Sequence, residues 1–109
     1  LLTLAQKGKI TLEKLVEKAC HNPAILFKIE NRGFLKEGYF ADLVLVDLNK
    51  KTTVTRENIL YKCGWSPFEG ITFDASIEKT FVNGNLVYDQ GEIIESELGK
   101  KLTFERNDI

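Results

Sequence analysis

The dipeptide Asn83-Gly84 lies between two runs rich in β-branched, aromatic and other apolar residues, 77–82 and 85–88. A two-residue type I′ turn needs positive φ at both central positions, which asparagine tolerates and glycine adopts freely. The pattern predicts a β-hairpin, so any fold open to this chain must place two adjacent antiparallel strands in its second half. Gln90-Gly91 predicts a second turn, leading into Glu92-Ile93-Ile94-Glu95. Upstream, Leu43-Val44-Leu45-Val46-Asp47-Leu48 is a continuous apolar run bounded by turn residues. Such a run predicts a strand buried on both faces. Lys50-Lys51 marks a solvated turn and Thr52-Thr53-Val54-Thr55 a short polar strand, with Thr55 capping a helical turn that reaches Leu60.

The first thirty residues carry a different period. Leu1 to Lys7 predicts the end of a helix that Gly8 stops. Thr11 is an N-cap for a second helix, in which Leu12, Leu15, Val16 and Ala19 form one apolar stripe opposite Glu13, Lys14, Glu17 and Lys18. Asn22-Pro23 predicts a new helix start, with asparagine as cap and proline at the first helical position. Helices come first and strands later, so the predicted class is α+β. The apolar stripe needs a partner surface, and the short segment before it offers little of one.

At 109 residues with 43% apolar content, the chain is long enough for one folded unit and too apolar for a disordered tail. A formal net charge of −1, with Lys and Arg dispersed, argues against a nucleic-acid surface or an anionic membrane surface. No apolar run is long enough to span a bilayer, and no segment reads as a signal peptide. Cys20 and Cys63 read as reduced thiols, which fits a cytoplasmic setting. The chain lacks methionine and begins Leu1-Leu2-Thr3-Leu4, which leads us to expect a piece of a longer protein.

Catalytic equipment is sparse. A hydrolytic metal site needs several His, Asp, Glu or Cys ligands converging on one point. The single histidine, His21, sits beside Cys20 at the predicted end of a helix, and neighbours on a helix do not face the same way. Ser66 has no base near it in sequence, and Ser76 starts a strand. Lys62 could lower the thiol pKa of Cys63, but a thiol held in a packed loop is the simpler reading. The Gly64–Gly70 segment lacks the ending of a phosphate loop. Asp42 and Asp47 bracket the apolar strand and are expected to bond backbone amides at its two ends. Tyr61, Trp65, Phe68 and Phe73 are expected to pin the loop 61–70 to a core, which makes that loop structural. No catalytic, cofactor-binding or metal-binding residue is assigned.

Three segments carry a family resemblance: Asn22-Pro23-Ala24, the stretch from Gly38-Tyr39-Phe40-Ala41-Asp42 to Asp47, and the hairpin Thr80-Phe81-Val82-Asn83-Gly84-Asn85-Leu86-Val87-Tyr88. In this order they resemble the C-terminal end of the amidohydrolase superfamily. The loop Lys62-Cys63-Gly64-Trp65-Ser66-Pro67-Phe68-Glu69-Gly70 is similar to that of the cyclic amidohydrolases, its Lys-Cys-Gly-Trp opening most of all to the dihydroorotase branch. The ending Gly99-Lys100-Lys101-Leu102-Thr103-Phe104-Glu105-Arg106 fits the same branch.

The resemblance implies a TIM-barrel parent with a composite β-sandwich domain. Residues 1–30 would be terminal helices of the barrel, and 31–109 the C-terminal part of a small β-sandwich that includes the loop 61–70. It also implies a zinc hydrolase of pyrimidine biosynthesis, interconverting N-carbamoyl-L-aspartate and L-dihydroorotate. The family's ligands are a His-x-His pair, a carboxylated lysine, two more histidines and an aspartate, and no position here matches them. The chain alone is therefore expected to be inactive and to bind no zinc. Its expected partners are the N-terminal and barrel parts of the same protein, with self-association of the isolated chain over the exposed strand 43–48. The alternatives are a hydantoinase or allantoinase end, or a non-catalytic binding or scaffold module, including a dead dihydroorotase homologue.

Overall fold

A computed structural model describes residues 1–95 and 99–105. Residues 96–98 and 106–109, which take in the start of the tail at Ser96 and the Arg106 of the family-like ending, lie outside the described residues.

The chain opens with α1 (Leu2–Gln6), which ends before Gly8 at φ 73°. Then come α2 (Leu12–Val16), a π-helical segment (Glu17–His21) and α3 (Asn22–Leu26). Thr11 caps α2 as expected, its hydroxyl accepting from the Lys14 amide at 3.1 Å. The expected restart at Asn22-Pro23 does not occur. Asn22 is itself helical, and its N–H donates to the Glu17 carbonyl, five residues back. Pro23 lacks an N–H and would crowd the carbonyl four residues before it. The wider π turn directly ahead lets the helix continue through the proline without ending.

After α3 the backbone turns at Lys28, φ 54°. Residues 28–30 then pair with the C-terminal segment, through Glu30 N–H to Thr103 O at 2.9 Å and Glu105 N–H to Lys28 O at 2.8 Å. Phe104 thus anchors the tail by backbone, opposite Ile29.

The strands are β1 (Leu43–Asp47), β2 (Thr52–Thr53), β3 (Thr72–Phe73), β4 (Ser76–Val82), β5 (Asn85–Asp89) and β6 (Glu92–Ile93). The last three form a meander. Asn83 and Gly84 turn at φ 52° and 76°, and Gln90 and Gly91 at 46° and 94°, as the two turn dipeptides predict. β1 pairs antiparallel with β4, giving the sheet order β1-β4-β5-β6, while β2 and β3 form a separate two-stranded ladder. A single 3-10 turn (Arg56–Asn58) follows β2, with the Thr55 amide donating to Asn58 Oδ1 at 2.9 Å. Helices before strands make the class α+β.

The apolar pattern of β1 predicts cover on both faces, while the resemblance predicts that the chain alone leaves this strand exposed. Val44 and Leu45, which point to opposite faces, are 57% and 54% exposed. β1 is an edge strand, and no second layer of described residues covers either side of it. Among the described residues, the buried apolar side chains are Ala24 and Ala75. The chain is also expanded. Its radius of gyration is 16.0 Å, against about 13 Å for a compact domain near this length.

Candidate functional site

The dominant surface feature is uncovered apolar area. α2 leaves Leu12 and Val16 exposed, and the end of α3 leaves Ile25 and Leu26, followed by Phe27. The last three line an open groove of about 500 Å³ together with Lys18, Asn22 and Pro23. The loop 61–70 adds Tyr61, Trp65 and Phe68. The whole chain exposes 8747 Å², where a folded monomer of its mass exposes about 6,100 Å². The excess of about 2,600 Å² is well above the roughly 800 Å² that each partner contributes to an ordinary interface. Area on this scale is typical of a part cut from a larger core.

The aromatic loop is tied down by its base and not by its rings. Gly70 N–H donates to Val54 O at 2.8 Å, and the Val54 N–H donates to Ile71 O at 3.0 Å. The Ser66 hydroxyl accepts from the Phe68 amide at 3.0 Å, closing a local turn. Cys63 Sγ lies 3.7 Å from the Trp65 carbonyl. Phe68 meets Phe73 edge-on at 5.7 Å, whereas Trp65 is 61% exposed. The expected pinning of Tyr61 and Trp65 to a core is therefore not found among the described residues, which leave both side chains exposed.

The most organised polar cluster joins the helix–sheet linker to the hairpin tip. Asp42 accepts from the Asn83 backbone N–H at 2.9 Å through Oδ1 and from Arg32 Nε at 2.8 Å through Oδ2. Arg32 also donates to the Lys100 carbonyl at 3.2 Å and stacks over the Phe40 ring at 4.1 Å. The Gly84 N–H donates to Ala41 O at 2.9 Å. Asp42 does bond a backbone amide, as the sequence predicts. Asp47 does likewise at the other end of β1, accepting from Asn49 at 2.8 Å. Arg32 has no signal in the sequence: its partners lie eight residues away or more.

The Asn83 amide lowers the Asp42 pKa most. Burial opposes the shift, and Arg32 adds to it. A folded pKa below the unfolded value of about 3.9 means that Asp42 stabilises the fold above that pH, and that this contribution is lost as pH falls through the folded pKa. Asp42→Asn should therefore lower the melting temperature at neutral pH. The difference from the parent chain should close below about pH 4, while an NMR titration of the Asp42 carboxyl should show a midpoint under the usual value. A difference that persisted unchanged into acid would contradict this account.

The described residues offer no ligand set that fits zinc. His21 lies within the continuous helix and not at its end, and its ring stacks on Phe34 at 4.2 Å with planes 6° apart. Cys20 beside it is an exposed free thiol. Among the described residues, no three His, Cys, Asp or Glu side chains come together as a metal-binding group. No helix among the described residues is long and apolar enough to cross a membrane.

Comparison with known proteins gives a consistent picture. Residues 1–87 match the Amidohydrolase family. The dihydroorotase of Pyrococcus horikoshii is 38% identical over 107 residues, which take in 98% of this chain and 25% of that enzyme. An allantoinase of Desulfitobacterium hafniense is 35% identical over 94 residues, 86% of this chain and 21% of that protein. Among solved structures, the L-hydantoinase (dihydropyrimidinase) from Arthrobacter aurescens superposes with a TM-score of 0.83 at 34% identity, covering 94% of this chain and 23% of its own. The chain spans about a quarter of the length of the curated relatives it matches.

Proposed function

Because the chain belongs to the amidohydrolase family, we propose that it is the C-terminal portion of a dihydroorotase, the zinc hydrolase that interconverts N-carbamoyl-L-aspartate and L-dihydroorotate. In this reading residues 1–30 are the terminal helices of the catalytic barrel and 31–109 the C-terminal part of a composite β-sandwich that contains the loop 61–70. The observation that carries it is the surface excess, in a chain that aligns over 98% of its length with a quarter of a dihydroorotase. The role of these residues is to complete and cover a core whose remainder lies elsewhere in the protein. The apolar faces of α2, α3 and β1 are the contact surfaces.

Hydrolysis of a cyclic amide needs an activated water and a group to stabilise the oxyanion. In this reading both come from the barrel. Compartment follows the same reasoning: a cytoplasmic enzyme of pyrimidine biosynthesis fits free thiols at Cys20 and Cys63.

A second reading is the corresponding end of an allantoinase or hydantoinase, favoured by the relatives from D. hafniense and A. aurescens. Complementation separates the two. The chain would be co-expressed with the P. horikoshii dihydroorotase lacking its aligned quarter, and in parallel with the D. hafniense allantoinase cut at the equivalent point. We expect dihydroorotate hydrolysis to be restored in the first pairing and little allantoin hydrolysis in the second. The chain alone, with zinc added, should show no turnover of either substrate. Zinc-dependent turnover by the chain alone would overturn the proposal, and preferential rescue of the allantoinase would establish the second reading.

A further inference from the structure

The Asn83-Gly84 turn has a chemistry that its role as a strand connector does not use. We propose that Asn83 is a deamidation site held closed by the docking of the hairpin tip on Ala41 and Asp42, so that its conversion to an acid follows undocking and then makes undocking permanent. The proposal does not depend on which amide the parent enzyme hydrolyses.

Glycine after asparagine leaves the following amide nitrogen open to approach, because no Cβ shields it. In the reaction the Gly84 nitrogen bonds to Asn83 Cγ and gives up its proton to hydroxide. The bond from Cγ to the side-chain nitrogen breaks, and ammonia leaves. Water then opens the resulting ring at either carbonyl, giving aspartate or isoaspartate. One water is consumed and one ammonia released, with no change of oxidation state.

The docked tip opposes each part of this. The Gly84 N–H is held by Ala41 O at 2.9 Å, so the nucleophile keeps its proton. The Asn83 N–H is held by Asp42 Oδ1 at 2.9 Å, and Asp42 by Arg32, which fixes the backbone on which attack must turn. Asn83 Oδ1 is buried and accepts no hydrogen bond from the described residues. That oxygen carries the negative charge of the tetrahedral intermediate, and a buried oxyanion without a donor is strongly disfavoured.

The product is incompatible with the docked state. An acid at position 83 would place a second carboxylate beside Asp42, where like charges repel. Isoaspartate would also add a backbone atom to a turn whose two residues match the twist of β4 and β5.

The test follows deamidation at Asn83 by peptide mapping and mass spectrometry at mildly alkaline pH. It compares the native chain, the urea-denatured chain and Asp42→Ala. Because the folded rate is scaled by the fraction of open tips, the native chain should react about tenfold more slowly than the denatured one, or slower still. Asp42→Ala should accelerate the reaction while amide exchange shows the β4–β5 ladder still protected. Should Asp42→Ala lose that ladder, Asp42→Asn, which keeps an oxygen acceptor, is measured instead, and an intermediate rate is expected. A native rate equal to the denatured rate, or a folded Asp42 variant reacting at the native rate, overturns the proposal.

Discussion

Replacing Gly33 with alanine should abolish the chain's cooperative unfolding transition. Gly33 has φ 88° and lies against the helix: an added Cβ would fall 2.5 Å from Ala24 Cβ and 2.9 Å from the Cys20 carbonyl oxygen. Ala24 is one of the two buried apolar side chains among the described residues, so the clash falls on the little core that they form. The left-handed conformation costs alanine about 1–2 kcal/mol, and overpacking adds about 1–3 kcal/mol. Their sum is a large part of the roughly 5 kcal/mol at the low end of domain stability. Circular dichroism melting should show a sloping, non-cooperative loss of signal for Gly33→Ala. Adding Ala24→Gly relieves the shorter contact and leaves the carbonyl contact and the strained φ, so the double variant should recover a transition at reduced temperature. A Gly33→Ala chain that melted like its parent would remove Gly33 from this role.

Lysines at Val44 and Leu45 should turn concentration-dependent oligomers of the isolated chain into monomers. The two side chains project from opposite faces of β1, and β1 offers an unpaired edge with no charged residue before Asp47. The opposite edge, β6, is two residues long and carries Glu92. An unprotected apolar edge is a template for pairing with another chain, and lysine is a residue that natural sheets use to prevent it. The expected readout is a sedimentation coefficient that rises with concentration for the parent chain and stays flat for Val44→Lys/Leu45→Lys. A parent chain that remained monomeric at high concentration would refute self-association through this strand.

Several parts of the structure are legible in the sequence because they are made by a few consecutive residues. The Asn83-Gly84 and Gln90-Gly91 turns require positive φ at adjacent positions, and those residue types supply it. Thr11 capping Lys14 and Asp47 accepting from Asn49 span three residues and two. The same local reasoning failed at Asn22-Pro23. There a π turn offered the proline a way to remain inside a helix, a choice that a capping preference does not register.

Burial was the property least accessible from local pattern. The run 43–48 has the composition of a central strand and occupies an edge, with both faces open. Trp65 has the composition of an anchor and nothing to be anchored to. In both cases the side chains are suited to a covering layer that the described residues do not supply. That His21 stacks on Phe34 could not be read from local pattern either, since the ring meets a residue thirteen positions away.

The hairpin at Asn83-Gly84 marks the division. Its existence, turn type and strand pairing were determined by the sequence, because a two-residue turn leaves the backbone few conformations. Its docking was decided only in the tertiary structure. Asp42 must cross forty-one residues of chain to reach the Asn83 amide, and Arg32 must be brought beside Asp42 to hold it there. Contacts at such separations depend on how elements pack and what they leave uncovered, and no period or cap in the sequence records that.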